Sequence, residues 1–215
     1  MPVITISRQF GAGGETVGQL VATKIKADLL DKQIVTEVAR RSKLSHDEVE
    51  AQTEQPGTFL NRLLLALGSA NFESSVPSEV AAWTPPYNDP AFDPRRAVLD
   101  LTQQVVKEAA REGNVVIIGH GAAYLLHDYE GALHVYLQAP LAARAKNVME
   151  TFKMSEDEAR KRIKHTDENR AAYIRQIYGH DWTHPSHYHL VIDTARFGYE
   201  GAAKVIVAAI SASPQ

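Results

Sequence analysis

Three glycines and a hydroxyl near the N-terminus have the spacing of an anion-binding loop. An apolar run, Val3–Ile6, leads into Gly11, Gly13 and Gly14, and a helical pattern begins at Thr16. In such a strand–loop–helix unit the glycines let backbone N–H groups point at an anion, and the helix N-terminus adds partial positive charge. The pattern therefore predicts a phosphate cradle. Its expected contact residues are Gly11, Ala12, Gly13, Gly14, Glu15 and Thr16.

The loop departs from the standard phosphate-binding pattern G-x-x-x-x-G-K-[ST]. When Gly13 is taken as the second glycine, Gly14 occupies the lysine position and Arg8 occupies the first glycine position. Thr16 lies where loops of the G-K-G-T type carry a magnesium-binding threonine, so we predict Thr16 as a metal ligand. Arg8 is the only basic residue in the loop and is predicted to serve the phosphates in place of lysine. Its alternative role is an ion pair with a carboxylate such as Glu15.

Two other interpretations of the glycines compete with a phosphate cradle. The loop can be a turn that only packs a helix against a strand. It can also be compared with the dinucleotide fingerprint G-x-G-x-x-G, but Gly11, Gly13 and Gly18 have the wrong spacing for it. A dinucleotide-dependent oxidoreductase is therefore disfavoured.

The composition predicts one α/β domain. The chain has 215 residues, of which 44% are hydrophobic, so it can bury a substantial core. It has no cysteine, which excludes disulfides and thiolate metal sites, and no apolar run approaches the ~20 residues of a membrane span. A strand begins at once and leaves no room for a signal peptide, so a cytoplasmic protein is expected. The net charge of −3 argues against a general nucleic-acid binder.

Four apolar runs alternate with helical patterns, which predicts a three-layer α/β fold with a parallel sheet. The runs are Val3–Ile6, Val115–Ile118, His134–Leu137 and Tyr188–Thr194. His120 follows the second run between two glycines, and ligands of parallel sheets bind beyond the carboxyl ends of the strands. His120 is therefore expected to line the phosphate site; its alternative is a core histidine bonded to backbone.

The region before residue 97 contains further candidate binding residues. Asp31 precedes a helical pattern at residues 33–42, so it can contact a substrate or cap that helix. Residues 69–94 contain five prolines and are interpreted as a long loop, of a kind that is usually functional or mobile, which Arg95 and Arg96 close. An apolar helical pattern at residues 59–67 is a candidate homodimer face.

The segment at residues 156–178 predicts a long and highly charged helix, which a capping box at Ser155-x-x-Glu158 would open. Its basic residues are Arg160, Lys161, Arg162, Lys164, Arg170 and Arg175. A solvated helical face is the simpler interpretation, and a clamp on a transferring phosphate is the functional one. The preceding helix at residues 141–152 is expected to expose Arg144 and Lys146.

Several histidines near the C-terminal strand invite a zinc interpretation. They are His180, His184, His187 and His189. A plain loop is the better interpretation, because the chain has no cysteine and because Gly179 and Pro185 favour turns.

Four motifs, taken together, resemble the cytidylate-kinase-like family, relatives of bacterial cytidylate kinase among the P-loop kinases. They are ISRQFGAGG at residues 6–14, VIIGHGA at 116–122, DENRAAY at 167–173, and a last stretch from Trp182 to YHLVIDT at 188–194. The motifs run nearly the whole length of the chain. The sequence differs from the family pattern at Gly14, which replaces a lysine, and at His120, where an arginine is expected.

The resemblance implies a P-loop kinase fold with a core at residues 1–30, 97–154 and 186–215, a nucleotide-binding insert at about 31–96 and a lid at about 155–185. It also implies phosphoryl transfer from ATP, with Mg²⁺, to a nucleoside monophosphate or other small acceptor. The implied transition-state clamp consists of the lid residues Arg162, Arg170 and Arg175 beside Arg8, although Arg170 can instead pair with Asp167 on its own helix. The expected substrate-binding residues are Asp31, Arg95, Arg96 and His120.

The leading hypothesis is an ATP-dependent kinase with a small-molecule acceptor and no nucleic-acid or membrane partner. Phosphoryl transfer needs positioning and positive charge, which a glycine loop and lid arginines can supply. The alternative, from another functional class, is a nucleotide-binding regulatory protein without turnover. Gly14 favours the alternative because the loop lacks lysine, whereas the basic lid favours the kinase.

Overall fold

The computed structural model of the chain describes residues 1–31, 34 and 94–212. The predicted helical pattern at residues 33–42, the candidate dimer face at 59–67 and the side chain of Arg95 lie outside the described residues. The predicted insert at about 31–96 is therefore represented mainly by its two ends, at Asp31 and Arg96.

Five parallel strands form one sheet in the order β2-β3-β1-β4-β5. The strands are β1 (Val3–Arg8), β2 (Asp28–Leu30), β3 (Val115–Ile118), β4 (Ala132–Gln138) and β5 (Leu190–Asp193). The predicted parallel sheet is confirmed, and β2 joins the four predicted strands. Sequence reasoning missed β2 because it has only three residues, of which Asp28 is exposed, and therefore shows no apolar run.

Helices in the described part of the chain follow most of the predicted patterns. They are α1 (Gly14–Ile25), α2 (Pro94–Glu112), α3 (Ala122–Leu125), α4 (Leu141–Phe152), α5 (Glu156–Tyr178) and α6 (Thr194–Ala212). The predicted capping box of α5 is confirmed, because Ser155 Oγ accepts from the Glu158 N–H and Glu158 Oε2 accepts from the Ser155 N–H at 2.9 Å. A break at Gly198, where the backbone is not helical, divides α6. None of these described helices combines the length and apolar character of a bilayer crossing.

Alternate side chains of the central strands pack into two cores on opposite faces of the sheet. Ile4 and Ile6 of β1 pack with Val17 of α1 and Ile206 of α6. The other face of the sheet packs against α2 through a cluster that includes Val3, Val98, Val105, Val106, Val115 and Ile117. Three layers result, and the loops after β1 and β3 lie side by side because Ile6 is paired with Ile118.

The charged helix α5 packs on α4 through a small apolar cluster. The cluster contains the buried residues Ala145, Val148, Ala159 and Ile163. Lys146 is exposed as predicted, but Arg144 is only 8% exposed, so the prediction for Arg144 was wrong. Arg144 lies one turn before Val148 and therefore shares the face of α4 that meets α5.

His134 of β4 is buried between β1 and the segment that leads into β5. His134 is 2% exposed, and its Nδ1 is 2.8 Å from Thr5 Oγ1. The His189 ring stacks on it with centroids 4.9 Å apart, and His189 Nδ1 accepts from the His134 N–H at 3.0 Å. Burial lowers the pKa of His134 to about 4, and the neighbouring His189 acts in the same direction.

We expect the free energy of unfolding to fall as the pH drops from about 6.5 to about 4. Unfolded His134 takes up a proton near its ordinary pKa, whereas native His134 takes it up only near 4, so the unfolded state binds more protons in this window. The difference corresponds to about 3 kcal/mol. Urea unfolding at about pH 7.5 and about pH 4.5 should show a smaller loss in His134→Gln than in the natural chain.

His165→Gln is the matched control, because His165 is exposed on α5 and hydrogen-bonds Asn169 of the same helix. This variant should lose as much stability on acidification as the natural chain does. An equal loss in His134→Gln and His165→Gln would contradict the assignment to His134.

Candidate active site

The glycine loop lies between β1 and α1, at the carboxyl edge of the sheet. The N-cap of α1 is Gly13, which has φ 79° and no side-chain cap among the described residues. The first N–H groups of α1 therefore have no acceptor within the helix and carry its partial positive charge. A Cβ at Gly13 would overlap the Tyr199 ring. Position 13 thus requires glycine both for its left-handed backbone and for its contact with Tyr199.

Side chains from other elements bind the carbonyl oxygens of the loop. The hydrogen bonds are Arg170 Nη1 to Arg8 O (3.1 Å), Arg144 Nη1 to Phe10 O (3.2 Å), Asn147 Nδ2 to Gly11 O (3.0 Å) and Thr194 Oγ1 to Ala12 O (2.9 Å). A further oxygen, that of Gln9, accepts the Ala12 N–H at 3.1 Å. Because these oxygens are engaged by the protein, the loop can present amides to an anion with little opposing negative charge.

Arg8 fills the space that a lysine at position 14 would occupy. A Cβ at Gly14 would lie 2.6 Å from Arg8 Cγ and 3.0 Å from Arg8 Cβ. The guanidinium extends over Gly119, where a Cβ would overlap it, and its Nη2 lies 4.0 Å from Asp31 Oδ1. The two cations, Arg8 and a lysine at 14, therefore exclude each other. The suggested ion pair of Arg8 has a carboxylate partner in the site, Asp31.

His120 lies beside Arg8 at the end of β3, with a left-handed backbone of φ 55°. Burial lowers its pKa to about 4, and the positive charge of Arg8 and, more weakly, of Arg170 adds to this, against a hydrogen bond with the Asp31 backbone. Its Nδ1 is buried and has no hydrogen-bond partner within the described part of the chain. His120 is therefore uncharged at neutral pH, and its buried Nδ1 is unpaired among the described residues.

Two cavities meet at these residues. The larger, of about 580 Å³, runs from the glycine loop to α4 and α5. The smaller, of about 70 Å³, lies beyond the ends of β1 and β3. Arg8, His120 and Arg170 line both cavities, and we call these three residues the shared wall.

The larger cavity is lined by the glycine loop and, on its α5 side, by a cation–π cluster of Arg162, Phe10 and Phe152. The Arg162 guanidinium carbon lies 4.0 Å from the Phe152 ring centroid and 5.6 Å from that of Phe10. The two rings stack with centroids 6.0 Å apart, and such contacts hold a guanidinium over an aromatic face. Thr16 is exposed and lines the same cavity.

The smaller cavity has aromatic walls. The Tyr124 hydroxyl lies 3.0 Å from the Tyr188 hydroxyl, which donates to the Trp182 carbonyl at 2.6 Å. Burial raises the pKa of Tyr173 and of Tyr188 above the ordinary phenol value, so these hydroxyls stay protonated. Among the described residues that line this cavity there is no carboxylate. Its recognition groups are therefore rings, hydroxyls and the shared wall.

Comparison with known proteins agrees with this arrangement. The sequence model of the Cytidylate kinase-like family matches residues 3–196. This chain belongs to the cytidylate kinase-like family. The cytidylate kinase of Methanopyrus kandleri is 35% identical over 112 residues, which are 48% of this chain and 58% of that protein. The cytidylate kinase of Thermococcus kodakarensis is 38% identical over 104 residues, 48% of this chain and 52% of that protein. The chain thus spans about half the length of these curated relatives.

Solved structures resemble the whole described fold. An uncharacterized protein from Eubacterium ventriosum superimposes with a TM-score of 0.69 at 18% identity, covering 99% of this chain and 100% of that one. Shikimate kinase from Bacteroides thetaiotaomicron superimposes with a TM-score of 0.53 at 14% identity, covering 98% of each chain. At these identities the likeness concerns the fold, and it confirms the predicted P-loop kinase-type sheet.

Most of the residues expected at the site of this cytidylate kinase-like chain line the two cavities. They are Arg8, Gly11, Gly13, Gly14, Glu15, Thr16, Asp31, His120, Arg162 and Arg170. Ala12 is buried and contributes its bonded carbonyl. Arg96 is exposed on α2 and lines neither cavity. Arg175 is also exposed and lines neither cavity. It lies five positions after Arg170, which places it ~140° around the helix.

Sequence reasoning missed the residues that support the loop of this family member. They are Arg144, Asn147, Asp167, Thr194 and Tyr199, of which Asp167 had been considered only as a partner of Arg170. The spacing of α4 contained a usable signal, since Arg144 and Asn147 flank the apolar positions 145 and 148 that face α5. The contacts of Thr194 and Tyr199 with residues 12 and 13 join distant parts of the sequence, so local pattern gives no sign of them.

The histidines near the last strand pack as aromatic rings. His180 and His187 have centroids 4.5 Å apart, and Tyr124 lies 5.7 Å and 5.2 Å from them. Across residues 1–31, 34 and 94–212, no group of three or more histidine, cysteine or acidic side chains is arranged to hold a metal ion.

We expect Gly13→Ala to abolish nucleotide binding, because the new methyl group would overlap the Tyr199 ring. Gly131→Ala is the matched control: Gly131 has φ 81°, and a Cβ there would meet nothing within 4 Å. The control should lose only the left-handed strain, about 1–2 kcal/mol of stability, and keep its affinity. Calorimetric titration with ATP, with urea unfolding of both variants, measures the two effects. Equal affinities in the two variants would rule out the contact with Tyr199 as the constraint.

Proposed function

We propose that this chain is a nucleotide-dependent phosphotransferase, which transfers the γ-phosphoryl group of ATP to a nucleoside monophosphate or another small acceptor. A single observation carries the proposal: Arg8, His120 and Arg170 line both the cavity of the glycine loop and the smaller aromatic cavity. A donor in the first and an acceptor in the second would meet at two guanidinium groups. Phosphoryl transfer needs this arrangement, because the migrating group is stabilised mainly by position and positive charge.

The donor side of the proposal rests on the glycine loop. Its amides and the N-terminus of α1 suit the β- and γ-phosphates, and Arg8 takes the role of the missing lysine. The Thr16 hydroxyl faces the same cavity and fits a Mg²⁺ ion that keeps its other ligands from phosphate and water, as Mg²⁺ prefers. Such an ion, held by Thr16, would neutralise part of the phosphate charge.

The clamp in this proposal consists of Arg162 and Arg170. Arg162 is held over Phe152 at the mouth of the larger cavity, and Arg170 lies in the shared wall. Arg175 is not part of the clamp, since its side chain is exposed away from both cavities. His120, being uncharged, would donate or accept a hydrogen bond without adding a third positive charge.

A second candidate function is nucleotide binding without turnover, and the absence of lysine at Gly14 favours it. The two functions agree on the donor site and differ only in product formation. A cytoplasmic location and a homodimer through residues 59–67 stay predictions.

We expect the purified protein, with ATP and Mg²⁺, to release ADP only when a suitable acceptor is present. A panel of nucleoside monophosphates and small alcohols should contain one acceptor that becomes phosphorylated, identified by mass spectrometry. Arg170→Ala should lower the turnover of that acceptor by about 10³-fold, the scale of an arginine finger, and change ATP affinity far less. ATP binding without ADP release for any acceptor would favour the regulatory alternative and sink the kinase proposal.

We expect Arg8→Ala to weaken ATP binding by about 1.5–3 kcal/mol, the scale of hydrogen bonds to a charged group. Arg8→Lys should recover part of the loss, because an ammonium lacks the bidentate fork. Gly14→Lys should not improve binding, since its side chain would overlap Arg8. The double variant Arg8→Gly/Gly14→Lys supplies the first glycine and the lysine of the standard pattern, while Glu15 keeps the Ser/Thr position, and it should recover part of the affinity.

Calorimetric titration of ATP into these variants measures the effect, with Arg160→Ala as the control. Arg160 is partly exposed on α5, pairs with Glu156 at 2.7 Å and lines neither cavity, so its loss should leave affinity unchanged. Unchanged affinity in Arg8→Ala would remove Arg8 from the donor site.

A further inference from the structure

An ion pair between α4 and α5 closes around the backbone of Phe10. Arg144 Nη1 donates to Asp167 Oδ2 at 2.6 Å, and the two side chains are 10% and 19% exposed. The Phe10 N–H donates to Asp167 Oδ1 at 2.8 Å, while the Phe10 carbonyl accepts from Arg144 Nη1 at 3.2 Å. Arg144 is itself held by a bond from its Nε to the Ala139 carbonyl at 3.1 Å. Both polar groups of the residue before Gly11 are therefore bound by one ion pair.

The same ion pair lies one helical turn from a residue of the shared wall. Asp167 and Arg170 are three residues apart, so they share one face of α5. Arg170 Nη1 donates to the Arg8 carbonyl at 3.1 Å, and its guanidinium carbon is 5.7 Å from the Phe10 ring. Helix α5 thus contacts the start of the glycine loop at residues 8 and 10. A shift of α5 against the loop would break the bond from Asp167 to Phe10 and displace Arg170.

Stability alone does not explain the ion pair between Arg144 and Asp167. A buried ion pair is weak evidence for stability, since well-packed apolar residues often serve equally well. Here each carboxylate oxygen of Asp167 has a different partner, one of them a backbone amide of the loop. No apolar replacement could bind that amide, and an asparagine would keep one acceptor while losing the charge that holds Arg144.

We propose that Arg144 and Asp167 are positioning residues, which line neither cavity but hold the glycine loop and Arg170 in the relative placement that phosphoryl transfer needs. The turnover readout of this inference rests on the proposed function, whereas its binding readout does not. Part of the effect of Asp167 on turnover acts through Arg170, so the effects of changing the two residues should not add.

A double-mutant cycle on turnover tests this coupling. Asp167→Asn should lower kcat by about 10- to 100-fold, the effect of a small misplacement of reacting groups. In an Arg170→Ala background the same substitution should lower kcat by a clearly smaller factor, because one of the two groups that Asp167 positions is gone. Glu168→Gln is the control: Glu168 is exposed, pairs with Lys164 at 3.9 Å and should leave kcat unchanged.

Additive effects of Asp167→Asn and Arg170→Ala would overturn the proposal, and so would a change confined to the melting temperature. If Asp167→Asn does not fold, the same cycle is run with Asp167→Glu, which keeps the charge and displaces the carboxylate. If the natural chain turns over no acceptor, the proposed function fails, and ATP titration decides the inference separately. Asp167→Asn should then weaken ATP binding about tenfold relative to Glu168→Gln; equal affinities would overturn the positioning role.

Discussion

A loop that binds phosphate through its amide groups needs other partners for its carbonyl oxygens. Much of this structure supplies those partners. Four oxygens between residues 8 and 12 are bound by side chains of α4, α5 and the start of α6. These helices come from the middle and the end of the chain, so the loop reaches its conformation only when the sheet and its helices are assembled. The phosphate cradle is therefore a tertiary feature, although its glycines are local in sequence.

Positive charge is concentrated where the two cavities meet. Arg8 and Arg170 are both partly buried there, and burial strengthens their field because little water screens it. His120 sits in that field and responds by staying neutral, which avoids a third buried charge. The aromatic walls of the smaller cavity add no formal charge, so the polarity of the whole region is set by a few side chains of the loop and of α5.

Local patterns in the sequence predicted the fold class, most helices and the glycine loop, because periodicity and glycine spacing are read within a few residues. The short edge strand β2 was missed, since strand pairing and not its own three residues defines it. Arg8, Asp31, His120 and Arg170 were expected at the site and lie together. Arg144 was placed wrongly because charge alone suggested exposure, whereas its partners, Phe10 and Asp167, are 134 and 23 residues away. Long-range partners of this kind decide burial, and no local pattern contains them.

The overlap between positions 8 and 14 has a consequence for how such loops change over generations. A lysine added at 14 collides with Arg8, and a glycine put at 8 alone removes the cation, so each single step leads to a poorer loop. Only a change at both positions gives a lysine at 14 the space that Arg8 fills. Arginine at 8 and lysine at 14 are therefore alternatives in this loop, and the effect of a substitution at either position depends on the residue at the other, which is epistasis between two neighbouring side chains.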